Sequence, residues 1–140
     1  MRAYRCFVFV FITSVLCFAQ DSEMYRACSK QAKTQHDMNV CANEEAKRVN
    51  EEVNRIYKLL LSKLRSNAVA TAKIQAVQKA WVTYDAYIDA MYPAKDKQAE
   101  YGSIFPMEVD LLTAKLTRQE IGALQDILRQ SDPQQEPSKR

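Results

Sequence analysis

The sequence predicts an all-α fold: a small antiparallel helical bundle in which a short N-terminal helix is tied by a disulfide to a long helical hairpin, with a C-terminal helix added. Three observations predict it. Apolar residues recur at alternating four- and three-residue steps along most of the chain, the spacing that lines one face of a helix. No segment shows strand-like alternation, an internal repeat or a second domain. Cys28 and Cys41 stand on either side of a helix-start signal at Thr34, so a bond between them would fold one helix back on the next.

At 140 residues, 47% hydrophobic and 26% charged, the chain suits one small domain. Two glycines in all exclude a Gly-rich phosphate loop and a dinucleotide fingerprint. A single histidine, His36, excludes a two-histidine zinc motif. No cofactor or metal is expected.

The first residues read as an export signal. Arg2 and Arg5 form a basic start, and Cys6 to Ala19 is an apolar run broken only by Thr13 and Ser14. The small residues Cys17 and Ala19 suit signal peptidase, which gives a signal peptide over 1–19 and a mature chain from Gln20. The run is too short for ~30 Å of hydrocarbon, so no membrane span is expected after cleavage. Leu16 is larger than the residue that usually precedes an acylated cysteine, which disfavours a lipoprotein anchored at Cys17. The expected location is the periplasm or the medium. Losing two arginines lowers the formal net charge from +3 to +1 and removes the basic footprint of a nucleic-acid binder.

Of four cysteines, Cys6 and Cys17 leave with the signal. The remaining pair in an exported chain reads as a disulfide; two free thiols or a metal site needing two further ligands are the alternatives. Continuous helix between Cys28 and Cys41 would separate their Cα atoms by ~20 Å, whereas a disulfide needs less than ~7 Å. The chain must turn between them. Thr34-Gln35-His36-Asp37 supplies the turn as a capping box, with Thr34 and Asp37 satisfying free N–H groups at a helix start. The first helix is therefore expected over 22–33. His36 is expected to be exposed or to assist the cap.

The second helix is expected over 35–66, with Ala42, Ala46, Val49, Val53, Ile56 and Leu60 on one face. Glu44–Arg48 and Glu51–Arg55 are four-apart pairs on the solvated side. A short connection at Ser66-Asn67 makes the third helix an antiparallel neighbour. That helix, 70–91, carries Ala70, Ile74, Val77, Trp81, Tyr84, Ile88 and Met91 at unbroken 4-3 steps. Val53, Ile56, Val77, Trp81 and Tyr84 are the expected core, with Trp81 and Tyr84 facing the second helix. Pro93, Gly102 and Pro106 punctuate a long loop over 92–106, and loops of that length are often functional. The last helix, 107–130, uses Val109, Leu112 and Leu116 and then Ile121, Leu124 and Leu128, with a register shift near 117–120. The helical domain thus covers 20–130. The segment 131–140, with Pro133 and Pro137, reads as a disordered tail.

Several strings together resemble one family. They are Cys28, Thr34-Gln35-x-Asp37-Met38-Asn39-x-Cys41-Ala42, Asn54 with Tyr57, Gln78-x-x-Trp81-x-x-Tyr84, Gly102-Ser103-x-x-Pro106-Met107, Leu116-Thr117 and Leu124. The pattern is similar to the lysozyme inhibitor LprI-like N-terminal domain family of small exported bacterial proteins. The resemblance runs from Cys28 to Leu124, and its most specific part is the string beginning at Thr34. It implies a helical, exported domain, with lysozyme inhibition as the named activity of one branch. Related sequences commonly carry a second cysteine pair where this chain has Asp89 and Leu112. They also carry an arginine where it has Asp85 and Glu120.

The expected function is that of an exported, non-catalytic protein that binds the cleft of a lysozyme-type glycosidase. The alternative is a periplasmic interaction or assembly module with another protein as partner. Asp85 and Asp89 lie four apart on a helix, a spacing that lets two carboxyl groups face each other as glycosidase acids do, but they read as a solvated acidic face, so no catalytic residue is expected. Contact with a partner is expected at Glu100, Tyr101, Gly102 and Ser103, where a ring, a permissive backbone and a hydroxyl meet. Protein recovered after export should give the intact mass of a chain beginning at Gln20. A mass with acylated Cys17 at its N-terminus, or retention of 1–19 in membranes, would contradict the signal-peptide reading.

Overall fold

The computed structural model describes residues 22–81 and 84–131, with the side chains of Tyr84 and Asp85 excepted. The expected signal peptide, the tail beyond Ser131 and the placement of the Tyr84 ring lie outside the described residues. Among the described residues, six helices and one 3-10 turn follow in order: α1 Glu23–Gln31, α2 Gln35–Leu64, α3 Ala68–Trp81, α4 Tyr84–Met91, α5 Lys97–Tyr101, the turn Gly102–Ile104 and α6 Phe105–Gln130. No strand occurs among the described residues.

The first three starts have local causes. Ser22 caps α1, its hydroxyl accepting from the Tyr25 N–H at 3.1 Å. The capping box opens α2 as expected: Thr34 Oγ1 accepts from Asp37 N at 3.1 Å, and Asp37 Oδ2 accepts from Thr34 N at 3.0 Å. Asn67 Oδ1 takes the Ala70 N–H at 3.0 Å to start α3. Cys28 and Cys41 are bonded, with Cα atoms 5.7 Å apart. In the chain-entropy model, a loop of this size contributes about 3 kcal/mol.

The turn after α2 makes α3 its antiparallel neighbour: Thr71 Oγ1 donates to Leu64 O at 3.0 Å, and Ile74 packs with Val53, Ile56 and Leu60. The larger partner of α2 is α6. The two run in the same direction, because α3, α4 and α5 carry the chain back before α6 begins. Early α2 residues Cys41 and Ala42 meet Met107 and Leu111, Ala46 and Val49 meet Ala114 and Ile121, and Val53, Ile56 and Leu60 meet Leu124.

Three expectations need correction. The charge pairs on α2 are Glu44–Lys47, Glu45–Arg48 and Glu52–Arg55, three apart, not Glu44–Arg48 and Glu51–Arg55. The cause for Arg48 is that Glu45 is fixed at the α6 interface; Arg55 makes a two-pronged fork onto Glu52 at 2.8 and 2.7 Å. Residues 92–106 are not one long loop, since α5, the 3-10 turn and the first residues of α6 fall within them. Trp81 is half-buried rather than sealed. It faces α2, but across a cavity that also touches Ala46, Asn50 and Val53. Of the other expected core residues, Val53 and Ile56 are 2% and 1% exposed, and Val77 packs half-buried against them.

The face that α6 turns to α2 explains its apparent register shift. Met107, Leu111, Ala114, Ile121, Leu124 and Leu128 form a stripe whose one missing step is filled by Arg118. Arg118 pairs there with Glu45, which is only 3% exposed. Glu45 also accepts from Arg48 Nη2 at 2.8 Å, from Arg48 Nε at 3.2 Å and from the Ser22 hydroxyl at 2.6 Å. Leaving one member of such a buried pair uncompensated costs about 3–5 kcal/mol, whereas replacing both by apolar groups is often neutral. Glu45→Leu should therefore lower the unfolding free energy measured in urea by about that amount. Glu45→Leu with Arg118→Met should recover at least half of the loss. Simple addition of the two single losses would contradict this role.

Candidate functional site

The residues expected to meet a partner lie at one end of the bundle, where the start of α2 meets the start of α6. Asp96 caps α5 by accepting from the Ala99 N–H at 3.0 Å. The short helix stops at Gly102, whose φ of +71° is a backbone state that L side chains rarely adopt. Gln98 Nε2 donates to the Gly102 carbonyl at 3.0 Å across this turn. Pro106 then sits in the first turn of α6, where its missing N–H costs nothing.

Side chains of α2 hold this turn from below. Asn39 Nδ2 donates to the Ser103 carbonyl at 3.0 Å. Asn39 Oδ1 in turn accepts from Gln35 Nε2 at 2.9 Å, and the same nitrogen lies 3.8 Å from Met107 Sδ. One turn further along, Asn43 Nδ2 donates to Asp110 Oδ2 at 3.3 Å. Burial raises the Asp110 carboxyl above its ordinary value, and the Asn43 bond partly offsets it. On the other side of Asn39, the N–H of Lys33, then the Thr34 side chain and N–H, hold the Asp37 carboxyl below the usual carboxylate range.

An aromatic cluster supports the turn from within. Tyr92 meets Tyr101 and Phe105 edge to face, with ring centroids 5.3 and 5.1 Å away. Tyr101 and Phe105 stack at 5.6 Å. The Tyr101 hydroxyl accepts from Ala94 N at 3.4 Å, and the Tyr92 hydroxyl donates to Glu108 Oε2 at 3.4 Å. Burial, reinforced by the Glu108 charge, pushes the Tyr92 phenol up. Asp89 pairs with Lys97 and ties α4 to α5.

The four expected contact residues are thus contiguous but do different work. Glu100 and Ser103 are exposed, whereas Tyr101 and Gly102 are half-buried. The Tyr101 ring belongs to the support of the turn and not to its tip. Ile104, which sequence reasoning passed over, is 39% exposed beside Ser103. Gln35 and Asn39 were also passed over as site residues, although both lie in the string that begins at Thr34. His36 is exposed, as expected. Among the described residues, no three His, Cys, Asp or Glu side chains gather as metal ligands, and no helix is long and apolar enough to cross a membrane.

The profile of a family described as "Lysozyme inhibitor LprI" matches residues 27–124, which includes the whole of α2, the braced turn and most of α6. An uncharacterized protein of Rhizobium meliloti (strain 1021) is 24% identical over 111 residues, covering 74% of this chain and 80% of the relative. No solved structure matches the chain.

The bracing has a direct test. Removing one partly exposed hydrogen bond costs about 0.5–1.5 kcal/mol, so Asn39→Ala should lower the melting temperature only slightly. Amide exchange at Gly102, Ser103 and Ile104 should nevertheless quicken severalfold while α6 keeps its protection. Unchanged exchange at these three amides would mean that the turn holds itself.

Proposed function

The chain belongs to the lysozyme inhibitor LprI family, and from that premise we propose that it is an exported, non-catalytic protein that presents the braced turn at 100–104 to a lysozyme-type glycosidase. The cleft of such an enzyme is concave and holds a sugar chain beside two carboxyl groups. To block it, a helical protein needs a protruding, well-ordered segment with polar groups that stand in for sugar hydroxyls. The observation that carries this reading is the hold of Asn39 on the Ser103 carbonyl. It ties the backbone of a turn on which Glu100, Ser103 and Ile104 are exposed to α2, and a segment ordered in advance costs less to bind.

The charges around the turn give little steering. Asp96 and Glu100 are countered by Lys95 and Lys97, so fit at the turn decides affinity more than long-range attraction does. Tyr92, Tyr101 and Phe105 keep the turn rigid without needing to touch the enzyme.

Purified mature protein titrated into lysozymes digesting bacterial cell walls tests the reading. The natural protein should inhibit, and Ser103→Arg should inhibit at least tenfold less at an unchanged melting temperature. That corresponds to about 1.4 kcal/mol of lost binding. Equal inhibition by both proteins would move the contact off the turn. Inhibition by neither would favour a periplasmic partner of another kind.

A further inference from the structure

A cavity of about 370 Å³ opens between α2, α3, α4 and α6, with no wall residue drawn from the turn at 100–104. Its size falls at the lower end of small-ligand pockets. Trp81 and Leu116 give it apolar wall, and Gln78, Glu120, Thr113 and Thr117 give it polar groups. Two of these carry an unmet demand. Gln78 Oε1 and Glu120 Oε1 are buried and have no hydrogen-bond partner, and Glu120 as a residue is only 5% exposed. A buried carboxyl oxygen without a partner is rare in folded proteins because its desolvation is not repaid. Burial alone raises the Glu120 carboxyl above its ordinary value. Among the described wall residues the one cation is Lys47, and its Nζ lies 3.1 Å from Glu44 on an exposed stretch of α2.

Both unmet atoms are acceptors, so a ligand that satisfies them must bring donors, and the one on Glu120 rewards a positive charge. The indole of Trp81 supplies a face that attracts cations and packs hydrocarbon. We propose that this cavity binds a small organic cation, with an ammonium group donating to Glu120 and Gln78 and an apolar body against Trp81 and Leu116. The site lies apart from the proposed lysozyme contact and stands whether or not that contact is correct.

Trp81 is the single tryptophan of the chain, so its fluorescence reports on the cavity wall directly. Cyclohexylammonium and cyclohexanol, alike in shape and different in charge, are the probes. Cyclohexylammonium should give a saturable change at pH 7, and cyclohexanol should bind at least tenfold more weakly. Glu120→Gln, nearly the same shape, should weaken cyclohexylammonium at least tenfold while keeping the natural far-ultraviolet circular dichroism. Should that variant fail to fold, Gln78→Met should give a severalfold loss instead. No saturable response to cyclohexylammonium would overturn the proposal, as would equal binding of cyclohexanol. Undiminished binding by a folded Glu120→Gln variant would overturn it too.

Discussion

The pairing of Glu45 with Arg118 inside the seam between α2 and α6 is the constraint on which the rest of the molecule depends. Two parallel helices with apolar faces can slide along each other by a turn, about 5.4 Å, at modest cost in buried area. A slide here would strand a carboxylate that is 3% exposed and a guanidinium in a seam of alanine, valine and leucine. Polar pairs in such seams have their best-attested use in fixing register. Glu45 extends the same control to α1, whose cap Ser22 donates to it at 2.6 Å. The Cys28–Cys41 bond secures α1 a second time, on the same long helix.

Register at the middle of the seam decides geometry at its end. With Arg118 opposite Glu45, Met107 falls beside Gln35 and the Ser103 carbonyl falls within reach of Asn39. The polar residues of the Thr34 string therefore act in two directions. Thr34 and Asp37 start the helix, and Gln35 and Asn39 hold the turn before α6. A capping box and a brace share one helical turn because residues three and four apart lie on neighbouring lines of its surface. The proposed lysozyme contact draws its rigidity from this arrangement and from the three rings beneath it.

Much of this was legible in the sequence. The capping box is written in Thr34 and Asp37, and the need for a turn between Cys28 and Cys41 follows from helical rise. The stripe of α2 survives almost unchanged as Ala42, Ala46, Val49, Val53, Ile56 and Leu60, all buried. What stayed hidden has physical reasons. A hydrophobic pattern treats arginine as solvent-facing, so with Arg118 discounted the first half of α6 reads along Val109, Leu112 and Leu116, whereas the line packed on α2 is Met107, Leu111 and Ala114. The short helix α5 has too few residues to show a period, and Pro93, Gly102 and Pro106 around it signal only breaks. Periodicity showed that Trp81 faces α2 but not how completely the space between them is filled. Gln35 and Asn39 bond to residues more than sixty positions away, a relation that no local pattern expresses.

We propose that the turn held by Asn39 meets the lysozyme. Amide chemical-shift mapping of the isotope-labelled protein, with an inhibited lysozyme added stepwise, tests it most directly. The largest changes should cluster at Gln98 to Ile104 and fade along α6, with the amides around Ile74 and Leu60 unmoved. Changes centred on α3 and α4, with the turn silent, would contradict it.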